Sequence, residues 1–130
     1  MTRTTIAATC HDFILGLSDL MQDPTVPSQQ MLLLTALYIN GDVNQSQLEE
    51  LTGVKRSSNS RNISKLGRGE HAWSTDGPML VESYEDEGNR RMKRVRLTPK
   101  GRALMEAALD RAGGKVVKGV KGASTSPVRA

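Results

Sequence analysis

Residues 44–66, NQSQLEELTGVKRSSNSRNISKL, decide the fold. Asn44 offers a side-chain acceptor at a helix start, and Gln47 stands three residues on, which is the spacing of a capping box. A short helix over about 45–51 follows, with Leu48 and Leu51 expected on its inner side. Thr52-Gly53-Val54 reads as a tight turn. A second helix over about 56–66 places Ile63 and Leu66 inward. Two short helices joined by a three- to four-residue turn that contains glycine form a helix-turn-helix. Around its apolar positions the second helix is polar and cationic: Lys55, Arg56, Ser57, Ser58, Ser60, Arg61, Asn62 and Lys65. Asn59 falls four residues before Ile63 and reads as a core-edge amide bonded to backbone.

Working outward, residues 5–22 carry Ile6, Cys10, Phe13, Ile14, Leu17, Leu20 and Met21 at three- and four-residue spacing. This is an amphipathic helix, ended by Asp23-Pro24 because the residue before proline avoids the helical region. Pro27 suits a first turn, and 27–39 is dense enough in Leu, Ile and Met to be the central buried helix. After the helix-turn-helix, 67–79 reads as a loop rich in Gly, Ser, Asp and Pro. Residues 80–84 and 91–98 read as two strands around a hairpin turn at 85–90. Val95 and Leu97 alternate with Arg94 and Arg96, the period of a half-buried strand. Pro99 opens a last helix to about residue 111, with Ala103, Leu104, Ala107 and Ala108 available for packing. Gly113-Gly114 stops it. The expected organisation is an N-terminal packing or dimerisation helix (1–26), a winged helix-turn-helix domain (27–112) and a mobile basic tail (113–130). The fold class is mainly α with a small β-hairpin.

A length of 130 residues suits one domain. One cysteine excludes an internal disulfide framework. With only His11 and His71 beside it, no zinc site is expected, and no cofactor either. Aromatic residues make up 3% of the chain, so the core must be aliphatic. Phe13 and Tyr38 read as buried, which leaves too few rings to stack single-stranded bases. The longest apolar run, residues 31–34, is far too short to span a bilayer. Nothing reads as a signal peptide, and a cytoplasmic location is expected.

Charge separates along the chain. Residues 1–50 hold one basic and six acidic residues, 51–102 hold twelve and six, and 103–130 hold five and two, for a net charge of +4. The basic middle coincides with the helix-turn-helix and hairpin, and a concentrated basic face attracts polyanions. A helix fits the major groove of B-DNA, where Arg, Ser and Asn can pair with base edges while Lys and Arg neutralise phosphates. The hairpin adds Arg90, Arg91, Lys93, Arg94 and Arg96, with Asn89 at its turn. Arginines at such a tip suit the negative potential of an adjacent minor groove.

Three segments, in order, resemble the winged-helix region of MarR-type transcription regulators. NQSQLEELTGV followed by KRSSNSRNISKL resembles their helix-turn-helix, with Ser57, Ser58, Ser60, Arg61 and Asn62 in the recognition helix. EDEGNRRMKRV resembles their wing, a D-P-x-D-R-R pattern. LTPKGRAL resembles the exit from the wing into the next helix. The resemblance spans residues 29–104. Glu87 stands where that pattern has Pro, and Asn89 where it has Asp, so the wing lacks a charged brace for Arg90. Asn59 stands where the pattern is usually apolar, and the loop 67–79 is long. The family dimerises through a helical extension after the wing; here the last helix is short, so a dimer must rely on the N-terminal helix and residues 99–112.

The resemblance implies a regulator of bacterial, plasmid or phage origin that binds double-stranded DNA in the cytoplasm, at the bacterial nucleoid. The expected function is sequence-specific repression by a homodimer, with the recognition helix (about 56–66) in the major groove and the wing (about 80–98) at the minor groove. The resemblance leaves room for a small-molecule effector, whose pocket the residues do not place. The competing class is a winged-helix protein-interaction or nonspecific nucleic-acid-binding factor of a phage or plasmid, acting on polymerase or replication machinery. No nucleophile–base pair, phosphate-cradling glycine loop or carboxylate pair points to an enzyme. Cys10 reads as a buried packing thiol rather than a redox sensor, and Trp73 as a local packing plug. Lys115, Lys118, Lys121 and Arg129 are available to add nonspecific DNA affinity.

Overall fold

The computed structural model describes residues 2–69 and 76–114. His71, Trp73 and the tail lysines and arginine lie outside these, as do the side chains of Asn89, Arg90 and Arg91. The element order is α1 (Arg3–Met21), α2 (Ser28–Asn40), β1 (Val43–Asn44), α3 (Gln45–Thr52), α4 (Arg56–Leu66), β2 (Val81–Asp86), β3 (Asn89–Leu97) and α5 (Pro99–Leu109). A wide turn over Asp110–Gly114 follows, with Gly113 at φ 104°. Among the described residues no helix is long and apolar enough to cross a membrane.

The chain divides into two compact units, one of Met1–Val26 with the residues from Ala103 onward, the other of Pro27–Arg102. In the first, α1 starts at Thr2, whose side chain accepts from the Thr5 N–H. It ends at Gln22 in the left-handed conformation. A Cβ on Gly16 would come within 3.1 Å of Arg111 Cδ and 3.6 Å of Ala108 Cα, so the small residue lets α1 and the end of α5 approach closely. Arg111 Nη1 binds Asp19 Oδ2 at 2.7 Å across the same pair. Of the α1 apolar stripe, Leu17 is buried, whereas Ile6, Ile14 and Leu15 are 43–56% exposed. Cys10 is also exposed, which corrects the buried thiol expected from its apolar neighbours. From Ala103 onward α5 buries Met105 and Ala108, while Ala103 itself is exposed.

In the second unit, α2 is the core helix, burying Leu33, Leu34, Ala36 and Leu37. Leu48, Ile63, Leu66, Leu80, Val81 and Val95 join them in the core. The capping box at Asn44 and Gln47 forms as expected, with both hydrogen bonds at 2.9 Å. Gly53, at φ 70°, ends α3. Leu51 is 45% exposed and Thr52 is buried in its place. Leu48 faces inward, and on a helix the residue four positions on shares that face. The sheet has three strands in the order β1-β3-β2, all antiparallel. Val43 pairs with Val95, and Val81 with Leu97. The hairpin turn is shorter than expected, because strand pairing runs out to Asp86 and Asn89 with a bulge after Glu85.

The exit from the wing explains LTPKGRAL. Thr98 Oγ1 accepts from the Gly101 N–H at 3.0 Å and donates to the Met79 carbonyl at 2.6 Å. It thus starts α5 and ties it to the segment before β2. A Cβ on Gly101 would lie 1.9 Å from the Leu80 carbonyl oxygen, so only glycine fits.

Candidate nucleic-acid interface

Helix α4 divides cleanly by side. Asn59, Asn62, Ile63 and Leu66 are buried, while Arg56, Ser57, Ser60, Arg61, Ser64 and Lys65 are exposed and Ser58 is half-buried. Lys55, just before the helix, is exposed as well. The outer face therefore carries hydroxyls and cations with no large apolar side chain. The inner face carries two amides that fix the helix in place. Asn59, fully buried, donates from Nδ2 to the Val54 carbonyl at 3.1 Å and to Thr52 Oγ1 at 3.3 Å. It acts inside the turn rather than at the surface. Asn62 departs from the expected set: it is 8% exposed and donates to Gln29 Oε1 on α2 at 3.1 Å. It is a packing residue that holds α4 against α2. Ser64 belongs to the exposed side, four residues beyond Ser60, where helical spacing could have found it, and Arg68 is exposed in the turn just after the helix.

Arg56 is less free than its position implies. Its guanidinium donates to Ser46 Oγ at 3.0 Å, and its backbone N–H donates to Glu49 Oε2 at 2.7 Å. Among the described residues Arg61 reaches only Ser58 Oγ, at the long distance of 3.5 Å.

On the wing, strand alternation sorts the cations. Glu82, Tyr84, Asp86, Arg94 and Arg96 share one face of the hairpin, and they pair among themselves. Arg96 Nε binds Glu82 Oε2 at 2.8 Å and its guanidinium lies 4.4 Å from the centre of the Tyr84 ring. The hydrogen bond to Glu82 raises the Arg96 pKa further above the ordinary arginine value. Arg94 lies 3.6 Å from Asp86 and donates to the Asp42 carbonyl at 3.1 Å. The Tyr84 hydroxyl donates to the Asp42 carboxylate. Arg94 is thus engaged in bracing the wing against the segment before α3. Lys93, on the opposite face, is exposed and makes no ion pair among the described residues. It borders a groove of about 550 Å³ between α4 and the sheet, whose rim includes Ser60, Ser64, Arg68 and Glu82. The density of like charge on the hairpin is tolerated because acids of the same hairpin neutralise part of it. Among the described residues no cluster of His, Cys, Asp or Glu could hold a metal ion.

Comparison with known proteins places this geometry. No family model matches the chain, and no curated protein does. Solved structures do. RV1404 from Mycobacterium tuberculosis has a TM-score of 0.66 at 20% identity, over 94% of this chain and 73% of that one. The PcaV transcriptional regulator from Streptomyces coelicolor, solved with its natural ligand, has a TM-score of 0.57 at 25% identity over 73% of this chain; the match spans 61% of that chain. BpsR from Bordetella bronchiseptica, whose DNA binding is regulated by 6-hydroxynicotinic acid, has a TM-score of 0.57 at 20% identity, over 92% and 83%. Among the described residues, five α-helices and a three-stranded antiparallel sheet, together with these neighbours, agree with the resemblance read from the sequence: the chain has the winged-helix fold of the MarR-type transcription regulators.

Proposed function

We propose that this protein is a sequence-specific, double-stranded-DNA-binding transcription regulator that acts as a homodimeric repressor at the bacterial nucleoid. One observation carries the reading: α4 buries its apolar and amide side and presents Ser57, Ser60, Arg61 and Lys65 outward. A helix so disposed can enter a major groove with hydroxyls and a guanidinium at base edges and cations at phosphates. Arg61 is the base reader in this reading, because among the described residues nothing strong holds it elsewhere. Lys55, Lys65 and Lys93 contact phosphates, and the tip of the wing meets the adjacent minor groove. Arg94 shapes the wing rather than touching DNA. Neighbours of the same fold supply a precedent for DNA binding and for a small-molecule effector.

The test is fluorescence anisotropy of the purified chain on two labelled duplexes, one from the region upstream of its own gene and one random. Binding at least ~10³-fold tighter to the first at physiological salt is the expected result. Equal, steeply salt-dependent binding to both, together with co-purification of a polymerase or replication protein, would favour a nonspecific or protein-interaction factor instead.

A further inference from the structure

Helix α4 starts without a capping side chain of its own. Its N-cap residue is Lys55, which makes no side-chain capping bond. The first-turn N–H of Arg56 is satisfied instead by Glu49 Oε2, at 2.7 Å, from α3. Glu49 is half-buried, and among the described residues no cation lies at ion-pair distance from its carboxylate. The Arg56 guanidinium is turned to Ser46 Oγ. Open N–H groups and a partial positive charge make a helix N-terminus a natural seat for an anion. On a DNA-binding helix that anion would be a backbone phosphate. Here the chain's own carboxylate occupies the seat.

We propose that Glu49 limits sequence-independent binding: its carboxylate at the start of α4 keeps DNA phosphates off that end, which lowers affinity for every duplex alike and leaves discrimination between sequences to the side bearing Ser57, Ser60 and Arg61. The inference rests on the DNA-binding reading above. Phosphates are common to every sequence, so a phosphate contact strengthens wrong sites as much as right ones. Suppressing one weakens binding to every duplex by the same factor and leaves base readout intact. A serine, threonine or aspartate at position 55 would cap α4 locally. The chain has a lysine there, and it places the negative charge on a neighbouring helix at the same amide.

The experiment compares the full-length chain with Glu49→Gln and Glu49→Ala on a random-sequence duplex, by anisotropy over a series of salt concentrations, with a thermal melt of each protein. Glutamine keeps an oxygen to accept from the Arg56 N–H but removes the charge. The expected result is that Glu49→Gln melts close to the parent and binds random duplex about fivefold tighter, a gain of the size that helix-end charge effects reach. Its log–log salt slope should steepen by up to about 0.9, the increment for one added phosphate contact. Glu49→Ala should show the same steeper slope with a lower melting temperature. Unchanged affinity and slope in Glu49→Gln, while the parent binds DNA, would overturn the proposal and leave DNA binding standing. Weaker binding in both variants in step with lost stability would reduce Glu49 to a cap. If neither parent nor Glu49→Gln binds random duplex even at low salt, the DNA-binding reading itself falls, and this inference with it.

Discussion

Arg61 and Asn62 are neighbours on one helix with opposite fates, and the difference is a matter of 100° of rotation. Arg61 is exposed, with a single long hydrogen bond among the described residues, so its guanidinium can pair with guanine at little cost. Arg61→Ala should weaken a specific site by about 1–3 kcal/mol, the worth of one good bidentate base contact, and weaken random duplex far less. Equal losses on both, measured by anisotropy, would make Arg61 a phosphate contact. Asn62 is buried and bonded to Gln29. Asn62→Ala should cost about 1 kcal/mol of stability, the usual net worth of a buried hydrogen bond, and leave the DNA affinity of the folded protein unchanged. Urea denaturation alongside the same titrations separates the two. The sequence shows both residues as polar positions in a cationic helix. What sorts them is the position of the buried stripe, which Ile63 and Leu66 define and which Asn59 and Asn62 extend with amides instead of hydrocarbon. An all-apolar stripe would have been read correctly; a half-amide one mimics a DNA-reading surface.

The elements themselves were legible, because each carries its own start and stop chemistry. Asn44 and Gln47 close a capping box, Gly53 ends α3 at positive φ, and Thr98-Pro99 opens α5. Strand β1 was not legible, since two residues have no period to read, and Asn44 was already accounted for as a cap. The wing shows the same limit. Alternation tells which of Lys93, Arg94 and Arg96 share a face, but not that Glu82 and Asp86 neutralise two of the three. Lys93→Ala should therefore flatten the salt dependence of DNA binding by roughly one unit. Arg94→Ala should instead lower the melting temperature, because its partners lose their counter-charge. A flattened slope in Arg94→Ala with no change in melting would assign it to the DNA contact as well. At the wing exit, Gly101→Ala sets a Cβ against the Leu80 carbonyl at 1.9 Å. The backbone must shift, and overpacking of this kind costs about 1–3 kcal/mol or more. Wild-type stability in that variant would mean that the β2 entry is far softer than its hydrogen bonds to Thr98 imply.

At the scale of the molecule, the question is what covers α1. Ile6, Cys10 and Ile14 are spaced by four residues and form one exposed stripe about 12 Å long at 1.5 Å per residue. Leu15 widens it, at 56% exposed. An amphipathic helix of this kind is expected to pack or to dimerise through its apolar side, and in a single chain that stripe is exposed. Removing such an apolar stripe from water favours association by about 25 cal/mol for each Å² buried. A second copy of the same helix, related by a two-fold axis, is the simplest cover, and it would serve the homodimer proposed above. Ile14→Glu places a charge in the middle of the stripe, where burial without a partner is costly. The parent should sediment as a dimer at micromolar concentration and melt at a temperature that rises with concentration; Ile14→Glu should sediment as a monomer whose melting does not depend on concentration. Cys10 provides a local readout, since the parent thiol should react with a maleimide probe more slowly than the same thiol in Ile14→Glu. A specific operator should discriminate further. The monomer loses the advantage of two linked half-sites, so its affinity for a full site should fall toward its affinity for half a site. A parent that sediments as a monomer at all concentrations, with Cys10 fully reactive, would mean that α1 is covered by something other than its own copy.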